Sequence, residues 1–133
     1  MIARLFLLCL IGATPAFAEK PLTGAEFEAL TTGRTMDHAV NGSIYGAEHY
    51  YPDRRVRWAF TDDDCMDGVW YEKGQMICFK YENGEGPECW TYFRDGAGLR
   101  AISALDNTAA PANPVAMMAT TRPLACLGPQ VGV

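Results

Sequence analysis

The chain contains five cysteines, and cysteine is the residue type here with the widest range of possible chemistry. A cysteine thiolate acts as a nucleophile, binds a metal or pairs in a disulfide. Zinc-binding cysteines commonly occur in C-x2-C pairs, and the sequence has no such pair, which argues against a zinc site. The choice between nucleophile and disulfide depends on the compartment, which the N-terminus indicates.

The first eighteen residues have the pattern of a secretory signal peptide. Arg4 supplies the positive charge, an uncharged apolar run covers residues 5–12, and an A-x-A cleavage site ends at Ala18. We therefore predict cleavage after Ala18 and export of residues 19–133 as a single domain. Cys9 lies in the apolar run, so we expect it to be removed with the leader rather than to carry a lipid anchor.

Export places the remaining four cysteines in an oxidising compartment. An even set of cysteines in an exported chain usually forms disulfides. We therefore expect two structural disulfides and no catalytic thiol. The four residues are Cys65, Cys78, Cys89 and Cys126.

The two histidines are candidates for a metal site or a general base. A hairpin turn around residues 41–42 would bring His38 near Ile44 and leave His49 several residues away. No third ligand is fixed beside either imidazole. We therefore expect two ordinary, half-exposed strand histidines and no metal.

The acidic residues 62–64, with Asp67 close behind, suggest a calcium loop. Such a loop presents oxygen ligands at alternate positions. Cys65 or Met66 would occupy a ligand position in either possible register. We therefore expect a solvated turn between strands at this point.

Motifs of nucleophilic catalysis are missing from the sequence. It contains no G-x-S-x-G motif, and a catalytic cysteine would have to escape disulfide pairing. Two carboxylates placed for glycoside cleavage would leave no sequence signature, so a small envelope hydrolase stays a third hypothesis. We expect a non-enzymatic protein without a cofactor.

The charge balance excludes two classes of partner. Removal of the leader, whose one charged residue is Arg4, leaves 10 basic against 16 acidic residues. An acidic surface repels nucleic-acid phosphates and anionic lipid headgroups at long range.

The leader's apolar run is far shorter than the ~20 residues of a membrane-spanning helix, and no later stretch approaches that length.

A short helix precedes the rest of the domain. Thr23 and Glu26 have the spacing of a capping box, and Leu22 and Phe27 occupy the positions of a hydrophobic staple. These signals predict a helix over residues 24–32. Because so short a helix is not stable alone in water, its apolar side must pack on another element.

The remainder of the chain has the period-two alternation of β-strands, most clearly at Val56, Trp58 and Phe60. Short turn signals separate the alternating segments. We predict an all-β fold: an antiparallel up-and-down meander that closes to a small barrel or a flattened sandwich, with one short N-terminal capped helix. The predicted strands cover residues 35–41, 43–51, 55–61, 67–73, 75–82, 88–94, 98–104 and 115–121.

The predicted strand register favours one disulfide connectivity. A hairpin between the sixth strand and the fifth would place Cys78 opposite Cys89 on the same face, within reach of a disulfide. Cys65 would then pair with Cys126. Because four cysteines allow three connectivities, the alternative of Cys65–Cys78 with Cys89–Cys126 stays open.

Aromatic residues are dense between Tyr45 and Phe93, and most of them are expected in the core. The alternation that turns Trp70 and Trp90 inward turns Tyr71 and Phe93 outward. Exposed aromatic side chains on a rigid sheet are typical of a binding surface for a protein or a glycan.

Several short segments, taken together and in their order along the chain, carry a resemblance to a known group of proteins. They are residues 22–26, 33–35, 51–53, 56–58, 68–71, 77–79, 89–90 and 126–129. In this order they resemble small exported bacterial proteins of a domain-of-unknown-function family. The resemblance implies a bacterial periplasmic setting and a compact β-rich fold, and it brings no activity. In architecture alone, the predicted barrel is similar to the small disulfide-bonded barrels of periplasmic lysozyme inhibitors.

Two functions are consistent with these features. The first is a periplasmic β-module that binds an unknown protein or envelope component through Tyr71, Phe93 and the acidic turn at 62–67. The second is a small-ligand carrier whose ligand lies inside the barrel. Its predicted binding residues are Trp58, Trp70 and Trp90.

Overall fold

The computed structural model describes residues 18–61, 65–84, 86–105 and 113–126. The predicted signal peptide up to residue 17 and the acidic residues 62–64 lie outside this part of the chain. The described residues form a helix, a short 3-10 turn at Pro52–Arg54 and eight strands. In chain order these are α1 (Gly24–Thr31), β1 (Thr35–Val40), β2 (Ser43–Tyr50), β3 (Arg55–Phe60), β4 (Cys65–Lys73), β5 (Met76–Tyr81), β6 (Glu88–Asp95), β7 (Gly98–Ser103) and β8 (Val115–Thr120).

The eight strands form one closed antiparallel barrel. Each strand pairs with the next along the chain, and β1 pairs with β8 to close the sheet. The predicted all-β meander is confirmed, and it closes as a barrel rather than flattening to a sandwich. Closure leaves no unpaired sheet edge, so each inward side chain faces an enclosed interior.

The helix α1 closes one end of this barrel. The Thr23 hydroxyl accepts a hydrogen bond from the Glu26 amide at 3.2 Å, and the Glu26 carboxylate accepts one from the Thr23 amide at 2.8 Å. The predicted capping box is therefore present. Phe27 is fully buried against the rings of Trp70 and Tyr92, with centroids 5.2 and 4.5 Å away. Within the described residues, no helix is long and apolar enough to cross a membrane.

The up-and-down order separates the connections between strands into two sets. The turns at residues 51–54, 74–75 and 96–97 lie at the end that α1 covers, which we call the helix end. The β1–β2 turn at residues 41–42 and the last residues of β3, β5 and β7 lie at the other end, which we call the cavity end. Packing of α1 at one end only makes the two ends of the interior chemically different.

Two disulfides cross-link the barrel. Cys78 lies opposite Cys89 in the β5–β6 register, and the two are joined. Cys65, at the start of β4, is joined to Cys126 near the C-terminus. This is the connectivity that the predicted register favoured. Chain-entropy arithmetic for loops of 11 and 61 residues gives about 3 and about 4 kcal/mol of stabilisation.

The β1–β2 hairpin differs from its predicted register by a shift and a bulge. Asn41 and Gly42 both have positive φ, which makes a two-residue turn and pairs Val40 with Ser43. A β-bulge follows, so that His38 lies opposite Gly46. The predicted pairing of His38 with Ile44 is therefore wrong, because the hairpin loop is tighter than expected and a bulge leaves no sequence signature.

Candidate functional site

A cavity of about 280 Å³ lies inside the barrel at its cavity end. Its polar side chains are His38, Glu48 and Glu88, together with tyrosine hydroxyls. Ala101 and Val115 face the same space from β7 and β8, and their small side chains leave room that larger residues would fill. Its aromatic walls are Tyr45, Trp58, Phe60, Phe79, Tyr81 and Trp90.

Glu48 is a fully buried carboxyl group at the floor of the cavity. The Tyr81 hydroxyl donates to its Oε1 at 2.6 Å, and the Tyr50 hydroxyl donates to its Oε2 at 2.8 Å. Burial raises the pKa of Glu48 to about 7, although both hydrogen bonds oppose this rise by stabilising the carboxylate. The group therefore changes charge near neutral pH.

Within the described part of the chain, no basic side chain is paired with Glu48. None of the ion pairs found within the described residues involves this carboxylate. The described groups that stabilise the charge of the ionised Glu48 carboxylate are the hydroxyls of Tyr50 and Tyr81. A buried charge without a counter-ion raises the free energy of the folded state, and a cation bound beside this carboxylate would reduce that cost.

His38 is the second buried polar group at the cavity. Its side chain is 7% exposed, and its Nε2 has no hydrogen-bond partner among the described residues. The Trp58 ring lies edge-on to the imidazole at a centroid distance of 4.9 Å. Burial lowers the pKa of His38 to about 3, so the ring is neutral at physiological pH. The expectation of a half-exposed His38 is wrong, because its position in β1 faces the interior with Met36.

His49 lies on the outer side of β2, and its Nδ1 is 2.8 Å from the Thr35 hydroxyl. It is partly exposed, as expected from the sequence. Within the ranges that the structure describes, no group of three His, Cys, Asp or Glu side chains is arranged to hold a metal ion. The acidic residues 62–64 of the rejected calcium loop fall outside those ranges.

The bulge in β2 and the glycine after it shape the cavity wall. Tyr45 is the extra residue of the bulge, and its side chain lines the cavity. A Cβ atom at Gly46 would overlap the Trp58 indole. The absence of a side chain at Gly46 thus allows the indole to lie against the strand and beside His38. Both features depend on the local backbone of β2.

The three tryptophans predicted beneath the ligand divide between the two ends of the barrel. Trp58 and Trp90 line the cavity. Trp70 is buried at the helix end, where it packs on Phe27 and lies 4.6 Å below the Arg54 guanidinium. The cavity therefore brings together two of the three predicted residues.

The two outward aromatic residues lie where the alternation predicts. Tyr71 is 38% exposed on β4, whereas Phe93 on β6 is half-buried below the Arg100 guanidinium, 4.7 Å from the ring centroid. The register places Tyr71 level with Cys89, four residues before Phe93. Four residues correspond to about 13 Å along a strand, so the two rings do not form one continuous surface.

Sequence reasoning missed Glu48, Tyr45 and Tyr81 as site residues, and it considered His38 but set it aside. The sequence did carry a signal for Glu48. This residue lies two residues before Tyr50 and therefore on the same inward face of β2, where a carboxyl group is unexpected. The position of Tyr45 in the cavity wall could not be predicted, because it depends on a bulge that has no sequence signature. The unpaired state of His38 required the positions of its neighbours in three dimensions.

Comparison with models of protein families, with curated proteins and with solved structures gives no match to this chain. Its function must therefore be argued from its own residues. The cavity combines buried polar groups with aromatic surface.

Proposed function

We propose that this chain is a non-enzymatic, periplasmic binding protein that holds a small organic ligand inside its barrel. The observation that carries this proposal is the unpartnered Nε2 of His38 in an aromatic cavity of about 280 Å³. A buried polar atom without a partner costs about 1–3 kcal/mol, and a ligand that bonds to it removes that cost.

The composition of the cavity supports ligand binding rather than mere imperfect packing. Ligand pockets are mainly apolar and aromatic, with a few convergent polar groups that orient the ligand. Here Trp58, Tyr45 and Trp90 supply the apolar surface, and His38 and Glu48 supply the polar groups. Natural pockets span roughly 300–1,000 Å³, so a volume near the lower limit favours a small ligand.

The position of the cavity supports access from solvent. Phe60, 43% exposed, and the exposed Glu88 line its outer part, whereas Glu48 and Tyr92 are buried at its inner part. The cavity thus extends from surface residues to buried ones. A ligand at this end would not need to displace α1.

The closed sheet and its disulfides support a preorganised site. The Cys78–Cys89 bridge fastens β5 to β6, the strands that carry Phe79, Tyr81 and Trp90. A wall that is rigid before binding reduces the conformational entropy lost when the ligand enters. A carrier that binds by shape gains affinity from such rigidity.

The periplasmic part of the proposal rests on the predicted leader, on the resemblance to exported bacterial proteins and on chemistry. The two disulfides fit a protein exported to an oxidising compartment. Cleavage after Ala18 and residence in a bacterial periplasm remain part of the proposal.

Intrinsic tryptophan fluorescence tests ligand binding, because the three tryptophans lie at two different ends. Purified protein would be titrated with cyclohexanol, choline, 3,3-dimethylbutan-1-ol and glucose. We expect a saturable change for at least one probe. The change should persist in Trp70→Phe, the matched control, and diminish in Trp58→Phe and Trp90→Phe. A flat response to every probe, or a response lost only in Trp70→Phe, would contradict the proposal.

A second candidate function, protein or envelope binding by the outer face, is favoured by one observation. Val69 and Tyr71 are 48% and 38% exposed and share the outer face of β4. Capture of an envelope protein from extracts that Tyr71→Ala abolishes and Phe93→Ala, on a separate part of the outer face, leaves unchanged would support this function. Capture that neither substitution changes would exclude the proposed surface.

A further inference from the structure

The charges that line the cavity have one sign. Glu48 lies at its floor and Glu88 lies in its outer part. Among the described residues that line it, none is lysine or arginine, and His38 is neutral at physiological pH. A low-dielectric cavity lined by carboxylates concentrates cations and repels anions.

The aromatic walls add to this preference. Tyr45 and Trp58 lie side by side with ring centroids 5.7 Å apart and planes tilted by 50°. Trp90 and Tyr81 line the same space. The face of an aromatic ring carries partial negative charge and attracts an ammonium group within about 6 Å. Several such rings around one space are a typical setting for a quaternary ammonium group.

The hydrogen bonds at Glu48 also disfavour an anionic ligand. The Tyr50 and Tyr81 hydroxyls each donate their one proton to this carboxylate. Those hydroxyl protons are therefore engaged and unable to bind a ligand carboxylate or phosphate. Their oxygens keep lone pairs that accept from a ligand N–H.

We infer that the ligand is a small organic cation, a primary or quaternary amine, whose ammonium group lies between the aromatic walls and faces Glu48. This inference rests on the proposed function and specifies its ligand class. The apolar part of the cation contacts Trp58 and Trp90, and an N–H or O–H group on the ligand reaches Nε2 of His38. The acidic excess of the whole chain adds a long-range attraction for such ligands.

Three probes of nearly equal shape and different charge test this inference. They are choline, its neutral carbon isostere 3,3-dimethylbutan-1-ol, and the anion 3,3-dimethylbutanoate. Their affinities would be measured by calorimetry at pH 8 with the intact protein. We expect choline to bind at least about tenfold more tightly than the alcohol, and the anion to bind most weakly.

Variants locate the source of the discrimination. Glu48→Gln should reduce the preference for choline over the alcohol several-fold. Glu88→Gln should reduce the preference by a smaller factor. Asp53→Asn removes one exposed carboxylate at the helix end and is the matched control, with no change expected.

The outcomes separate this inference from the proposed function. Equal affinities of wild-type protein for choline and for the alcohol would overturn the cation inference and leave small-ligand binding intact. Tighter binding of the anion would overturn it also. Absence of binding by all three probes, together with a flat fluorescence panel, would overturn both. The comparison of the three probes uses wild-type protein, so it can overturn the inference even if Glu48→Gln does not fold.

Discussion

The Tyr81 hydroxyl donates a hydrogen bond to Oε1 of Glu48 at 2.6 Å, across 33 residues of sequence. Tyr50 donates to the other carboxylate oxygen from the same strand as Glu48. The carboxyl group thus lies at the boundary between the packed core and the cavity. Its charge state affects both the stability of the fold and the ligand class.

Opposite pH dependences of stability follow from Glu48 and His38. The pKa of Glu48 rises from 4.5 to about 7 on folding, so the native state holds a proton that the unfolded chain releases. This contribution to the free energy of unfolding is full below pH 4.5 and is lost as the pH rises to 7. The pKa of His38 falls from 6.5 to about 3, so its contribution is full above pH 6.5 and is lost as the pH falls to 3.

The two effects oppose each other between about pH 4.5 and 6.5, and single variants separate them. Relative to wild type, Glu48→Gln should give a free energy of unfolding that increases with pH, by up to about 1.4 kcal/mol per unit. His38→Gln should give the opposite slope. Urea unfolding at several pH values measures both. Parallel curves for all three proteins would contradict the assigned pKa shifts. The other titratable side chains that line the cavity with Glu48, or bond to it, are His38, Tyr45, Tyr50, Tyr81, Glu88 and Tyr92.

Loss of one hydroxyl tests the hydrogen bond between Tyr81 and Glu48. Tyr81→Phe keeps the ring and removes the donor, so we expect the unfolding free energy at pH 8 to fall by about 1.5–3 kcal/mol. Tyr71→Phe removes a hydroxyl from the exposed face and should change it by less than about 0.5 kcal/mol. Equal, small effects of both substitutions on urea unfolding would show that the buried bond contributes nothing.

A single added methyl group tests the role of Gly46 in shaping the cavity. Gly46→Ala should displace the Trp58 indole, weaken ligand binding and cost about 1–3 kcal/mol of stability. Gly84→Ala is the control for stability, because a Cβ there meets its nearest atom at 3.5 Å, an ordinary contact distance. Choline titration with thermal unfolding measures both quantities. Unaltered binding and stability in Gly46→Ala would contradict the described packing of Trp58.

The charge state of Glu48 predicts how cation affinity depends on pH. An ammonium ligand binds best to the ionised carboxylate, so choline affinity should rise by about tenfold between pH 6 and pH 8. The affinity for 3,3-dimethylbutan-1-ol should stay constant over this range. Calorimetry in buffers of different ionisation enthalpy would also detect the released proton. Choline affinity that is independent of pH would contradict this coupling.

The helix, the strands and the pairing of the cysteines could be predicted from the sequence, because each depends on signals between residues that are close in the chain or in one hairpin. Thr23 and Glu26 defined the start of α1, and period-two alternation located each strand to within about two residues. The opposition of Cys78 and Cys89 followed from the same register. These features depend on neighbours close in sequence or on one hairpin.

The site was less predictable because its members meet only when the barrel closes. His38 and Trp58 lie on strands that do not pair with each other, and their contact depends on the missing side chain of Gly46. The separation of Trp70 from Trp58 and Trp90 required knowledge of which end α1 covers. Alternation predicts the face of a residue, but its height in the barrel depends on strand stagger and bulges.

The most direct test of the central claim is ¹⁹F NMR of protein labelled with 5-fluorotryptophan, which reports on Trp58, Trp70 and Trp90 separately. Substitution of each tryptophan by phenylalanine assigns the three resonances. On addition of choline, we predict saturable shifts of the Trp58 and Trp90 resonances and an unchanged Trp70 resonance. A shift confined to Trp70, or no shift at saturating concentrations of choline and its neutral isostere, would contradict binding in the cavity.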